Sequence, residues 1–176
     1  MAVGLSEPGV DDLGDVVGAL RDWQGDGVPI QLHPGDLGWF WRFGAEATAA
    51  AVRTWRRDGR ILAVGLLDDP VSLRLTTAPD ALRDEELAHR LVEDVTEPER
   101  GVLGAGRVSV DAIQGALVAE LLAEAGWKAA APWTPLRRDL TEPVAERFVD
   151  LLFPGTSALP RLWTPGGAAP GGAHLG

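Results

Sequence analysis

Val10, Leu13, Val16, Val17 and Leu20 recur at three- and four-residue intervals, the spacing that lines one face of an α-helix. A helix over residues 11–23 is expected, ended by a Gly-, Asp- and Pro-containing loop at 25–29. In HPGDLGWFWRF, residues 33–43, Pro34 and Gly35 make a turn. Asp36 is placed there to cap a helix carrying Trp39, Phe40 and Phe43. The Ala-rich stretch 45–55 reads as a second short helix with Val52 and Trp55 inward.

At Asp58-Gly59, a turn signal, the pattern changes period. RILAVGLL at 60–67 is almost continuously apolar, as in a strand buried on both faces. After a turn at Asp68, Asp69 and Pro70, Val71, Leu73 and Leu75 alternate with polar residues, the mark of a half-buried antiparallel partner. A helix over 84–95 presents Leu87, Leu91 and Val95 on one face. A strand at 107–112 follows, then a helix over 115–125 with Leu117, Leu121 and Leu122 inward and Gly126 as its terminating glycine. A last strand is expected at 133–140. Helices followed by β-β-α-β-α-β imply an α/β (α+β) fold with a mixed, mostly antiparallel central sheet flanked by helices. Residues 1–150 read as a single domain. The Pro/Gly/Ala-rich stretch 151–176 is too poor in large apolar groups to offset its own ordering, so a disordered tail is expected.

Composition narrows the function classes. With 45% apolar and 24% charged residues the chain has the make-up of a globular protein. There is no Cys, which removes disulfides, thiolate metal sites and cysteine nucleophiles. The net charge of −10 argues against nucleic acid, which demands a basic stripe. No apolar run reaches membrane-span length, and the N-terminus has no basic region, so a cytoplasmic protein without a membrane partner is expected. Lys128 is the sole lysine, and there are seven Trp and no Tyr.

The order of elements resembles the GNAT family of N-acetyltransferases, and more narrowly the N-terminal half of the tandem GNAT proteins of actinobacteria. The resemblance is carried by HPGDLGWFWRF (33–43), DGRILAVGLL (58–67), GRVSVDAIQGALVAELLAEAGW (106–127) and PWTPLRRDLTEPV (132–144). It covers roughly residues 10–145. In the tandem proteins the last segment leads into a second GNAT domain, whereas here it leads into the Gly/Pro stretch, as in a lone or shortened version. The resemblance implies acetyl transfer from acetyl-CoA to a small amine, with a pyrophosphate loop Q/R-x-x-G-x-G/A, a general base and commonly a Tyr general acid.

The residues fit that chemistry unevenly. In the family the phosphate loop joins the second hairpin strand to the next helix, here TTAPDALRDEEL at 76–87. That junction holds no glycine, and Pro79 removes a donor. Asp84, Glu85 and Glu86 sit where the helix dipole would otherwise attract a diphosphate. The candidate cofactor contacts are Thr77, Ala78, Asp80 and Arg83, the last being the one helpful charge. RGVLGAG at 100–106 nearly spells the family's loop, but it falls between a helix and a strand instead of opening a helix. Base candidates are His33, Asp36, Asp111 and Glu46. Asp36 also reads as a cap, His33 as a surface loop residue and Asp111 as a strand-end turn residue. His89 lies on a polar helix side and His174 in the tail, and no set has metal-ligand spacing. Trp39, Trp41 and Trp55 are candidates for an aromatic pocket holding a cationic amine. Trp39 and Trp41 cannot share one helix face, so one is expected in the core and the other partly exposed, as a substrate or partner surface. Two readings stand. One is an acetyl-CoA-dependent N-acetyltransferase domain acting on a small amine. The other is a catalytically degenerate GNAT-like module that binds a ligand, a partner GNAT domain or itself.

Overall fold

Two residues set the central hairpin. Asp58 (φ 52°) and Gly59 (φ 80°) both occupy the left-handed region, the two-residue turn whose twist matches the strands it joins. They link β2 (Val52–Arg57) to β3 (Arg60–Asp69), with Arg57 opposite Arg60. β4 (Ser72–Thr77) returns antiparallel to β3, completing a three-stranded meander. β1 (Gly4–Ser6) adds antiparallel to β2 at one edge. β5 (Ser109–Ala112) adds parallel to β4 at the other, giving the order β1-β2-β3-β4-β5. This computed structural model describes residues 2–25, 31–131 and 141. The expected strand at 133–140 and tail at 151–176 lie outside the described residues.

Helices cover both faces. Between β1 and β2 run α1 (Leu13–Asp22), α2 (Pro34–Phe40) and α3 (Ala45–Ala51). α4 (Glu85–Thr96) connects β4 to β5, as a parallel pair requires, and α5 (Leu117–Glu124) follows β5. On one face Val52, Val64 and Leu66 pack with Leu13, Val16 and Leu20 of α1 and Leu37 of α2. On the other, Trp55, Ala63, Leu73 and Leu75 pack with Leu87 and Leu91 of α4 and with Val118 and Leu122 of α5. Trp55 pairs with Ala63 and Arg56 with Ile61, so Leu62 is the extra residue of a β-bulge. The bulge lets Leu62 and Ala63 both join the α4–α5 cluster. Buried on both faces, β3 is as apolar as its sequence required. The mixed, mostly antiparallel sheet flanked by helices is the expected fold class.

Several elements differ from the sequence reading. Residues 45–55 are not one helix: α3 stops at Ala51 and Val52 begins β2, because pairing with β3 outweighs the alanines' helical preference. Trp55 is therefore a strand residue, fully buried, and its indole N–H donates to Asp94 Oδ2 at 2.9 Å. β1 was not expected at all. In α5 the fully inward positions are Val118 and Leu122, while Leu117 and Leu121 are only partly buried.

Candidate functional site

The β4–α4 junction is where the resemblance places a cofactor's phosphates. β4 ends at Thr77, which is buried with its Oγ1 unpartnered. Ala78 follows, wholly buried, and its N–H donates to the Leu62 carbonyl at 2.8 Å. Pro79–Ala81 forms one 3-10 turn, and Asp84 then caps α4 by accepting from the Leu87 N–H at 2.8 Å. Both Asp84 oxygens also take Arg57 guanidinium bonds at 2.8 Å. That guanidinium holds the Asp84 carboxyl down to about 2, below its ordinary 3.8, with the Leu87 N–H adding to the effect against partial burial. Glu86 contacts the same guanidinium at 2.9 Å and accepts from the Val3 N–H at 3.2 Å.

Asp80 and Arg83 of the junction are also paired. Arg60 binds Asp80 and lowers its pKa. Arg83, the one cation the sequence offers a phosphate, is paired with Glu120 of α5. The Leu117 N–H donates to the Leu82 carbonyl at 3.0 Å, tying the start of α5 to the junction. A diphosphate needs free donors and a positive field. This helix end presents Asp84, Glu85 and Glu86, and its neighbouring arginines are engaged by carboxylates. The residues present do not fit the pyrophosphate of acetyl-CoA.

The candidate bases gather on the opposite face of the sheet. His33, not Asp36, is the N-cap of α2: its Nδ1 accepts from the Gly35 N–H at 2.9 Å. Asp36 occupies the third helical position and reaches back to the His33 N–H at 2.8 Å, closing a reciprocal capping box. Its other oxygen meets Arg74 of β4 at 2.9 Å, and Arg74 also binds Asp68. Burial works against the Arg74 charge, yet the two carboxylates raise its pKa overall. Asp111 of β5 is Arg74's register partner, so it lies on the same face. Geometry separates the three. The Nδ1 lone pair of His33 and both Asp36 oxygens are committed, whereas Asp111 is half-buried and has no hydrogen-bond or ion-pair partner among the described residues. Asp111 is the carboxylate available to accept a proton. Glu46 and His89 are exposed.

The tryptophans also depart from expectation. Trp39 and Trp41 are both exposed, at 64% and 53%, because the chain tightens from α-helix into a 3-10 turn at Trp41. Phe43 is exposed beside them. The Arg42 guanidinium lies 3.8 Å from the Trp39 ring centre and 4.5 Å from that of Phe43, so the cation stacked on this aromatic surface is the chain's own. Trp55 contributes nothing to it. Arg57 and Arg74, which organise the two faces, escaped the sequence reading. A strand arginine flanked by inward residues was their only signal.

No group of three or more His, Asp or Glu suited to a metal lies among the described residues, and no described helix is long and apolar enough to cross a membrane. No family model matches the chain, and no curated protein matches it. Among solved structures, the chain is similar to N-acetylglutamate synthase from Neisseria gonorrhoeae, complexed with coenzyme A and N-acetyl-glutamate. That match has a TM-score of 0.46 and 15% identity, covering 74% of this chain and 29% of that one. It is also similar to a predicted acetyltransferase with acetyl-CoA from Clostridium acetobutylicum, with TM-score 0.47 and 13% identity over 77% and 96% of the two chains. An acetyltransferase from Trypanosoma brucei matches with TM-score 0.42 and 16% identity, over 77% and 99%. None of the three reaches a TM-score of 0.5, and the chain spans less than a third of the Neisseria enzyme's length.

Proposed function

We propose that the chain is a GNAT acetyltransferase-like domain of the degenerate kind, a module that binds a ligand, a partner GNAT domain or a second copy of itself. One observation carries this reading: the helix end that would receive a cofactor's diphosphate is capped by Asp84, and Asp84 is locked to Arg57. The absence of any Tyr points the same way, since the family's usual proton donor is missing. The exposed Trp39, Trp41 and Phe43 form the surface by which such a module meets its partner. The net charge of −10 favours a cationic partner or amine.

Acetyl transfer to a small amine is the second reading. Asp111 of β5, a carboxylate with no partner among the described residues, favours it, as does Thr77, whose buried hydroxyl has no described partner at the end of β4. An amide-resolved NMR titration with acetyl-CoA separates the two. The degenerate reading expects the Glu85, Glu86 and Leu87 amides to stay in place at millimolar cofactor. Saturable shifts at those three amides would overturn it in favour of the transferase. Co-elution with a separately expressed second GNAT half tests pairing, and a monomeric mass at high concentration, with no co-elution, rules out both protein partners.

A further inference from the structure

The glycines of RGVLGAG do not open a helix, yet Gly104 and Gly106 line a cleft. It has a volume of about 400 Å³ and lies between the C-terminal ends of α4 and α5 and the loop leading into β5. The Gly104 N–H is tied to the Pro70 carbonyl at 3.3 Å, which anchors this loop at the start of β4. The cleft therefore sits at the opposite end of the parallel β4–β5 pair from the β4–α4 junction.

Three features of the cleft converge. Among the described residues its wall contains no Asp or Glu, in a chain with 26 of them. It contains both Arg107 and Lys128, the two cations among the described residues with no carboxylate, carbonyl or ring partner. The N–H groups of Ala105, Gly106 and Arg107 likewise have no protein acceptor among the described residues, and Gly106 takes φ 111°, a conformation that favours glycine. The C-terminal ends of α4 and α5 oppose this field, and hydrogen bonds engage part of their carbonyls. The last carbonyls of α5 accept from Ala125, Gly126 and Trp127, and the Glu93 carbonyl of α4 accepts from Glu97. The larger cleft beside α1, of about 510 Å³, is unlike it: Asp15 and Asp22 line that cleft together with its arginines.

We propose that this cleft binds a small phosphate-bearing molecule of nucleotide size. Arg107, Lys128 and the three free N–H groups supply donors for the phosphates. The half-buried Trp127 indole forms a flat wall for a ring.

The test uses the full chain with ADP and with pyrophosphate as probes. It is read at the amides of residues 105–107, and so independently of Glu85–Leu87, where the proposed function is tested. Both probes should shift those amides saturably, with ADP tighter than pyrophosphate and both weakening as salt rises. The double variant Arg107→Gln, Lys128→Gln should bind both at least tenfold more weakly. Trp127→Ala should weaken ADP but not pyrophosphate. Arg107 and Lys128 are exposed, so an unchanged urea midpoint checks that the double variant folds. No amide shift at 10 mM of either probe overturns the site, and so does full affinity in the double variant. Pyrophosphate equal to ADP, with Trp127→Ala silent, overturns the nucleotide assignment and leaves a plain phosphate site.

Discussion

Replacing Asp84 by Asn separates charge from capping at the start of α4. Asn caps a helix about as well as Asp, so the substitution keeps the bond from the Leu87 N–H and removes the ion pair with Arg57. A carboxyl held at about 2 instead of 3.8 corresponds to about 2 kcal/mol at roughly 1.4 kcal/mol per pH unit. The pair is about a quarter exposed on each side, and solvent screening reduces that to between about 1 and 2 kcal/mol. Because the folded-state pKa is depressed, the contribution is complete above pH 3.8. It fades as pH falls through the folded value near 2. Urea unfolding followed by tryptophan fluorescence, at steps from pH 7 to pH 3, should show Asp84→Asn costing that amount at neutral pH and progressively less below pH 4. Asp84→Ala should cost about 1 kcal/mol more than Asn throughout, the worth of the cap. A neutral-pH penalty near zero, or one that stays constant down to pH 3, would refute the ion-pair account. It would also weaken the case that the helix end is closed to phosphate.

Other consequences concern the core and the turns. A Cβ on Gly65 would lie 2.8 Å from Leu73 Cδ1 and 3.2 Å from Trp55, so Gly65→Ala should destabilise by about 1–3 kcal/mol in chemical denaturation. Asp94 is wholly buried and accepts from Trp55 Nε1 and Arg90 Nε. Asp94→Ala should cost about 3–5 kcal/mol and change the emission of Trp55. Gly59→Ala, at φ 80°, should cost about 1 kcal/mol, read as a lowered urea midpoint.

The interior of the fold was legible where one residue type had one physical use. The apolar run at β3, the Asp58-Gly59 turn and Gly126 past α5 each followed from local rules. Residues 45–55 failed because alanines favour helix while Val52 and Trp55 answer to a strand far along the chain. The expectation of one core residue between Trp39 and Trp41 failed because the helix ends at Phe40 and tightens into a 3-10 turn that leaves both exposed. At the site, the carboxylates of the β4–α4 junction were readable from the sequence. Their arginine partners were not: Arg57 meets Asp84 across 27 residues and Arg74 meets Asp36 across 38, and such pairings exist only once the sheet has formed. His33 read as a surface loop residue because an imidazole is not among the usual N-cap side chains, even though Asp36 three residues on completes its capping box.

The strand order also carries a sequence of assembly. β2, β3 and β4 are joined by short turns, so their pairing closes little chain. β1 reaches β2 across 48 residues, from Ser6 to Thr54, and β5 reaches β4 across 37. Loop closure makes such contacts slow to form, and three residue pairs give β1 little to hold it. The meander is thus expected to form first, with β1 joining last. Native-state hydrogen exchange should record that history in reverse, with Gly4–Ser6 opening at the lowest free energy and the β3 amides only on global unfolding.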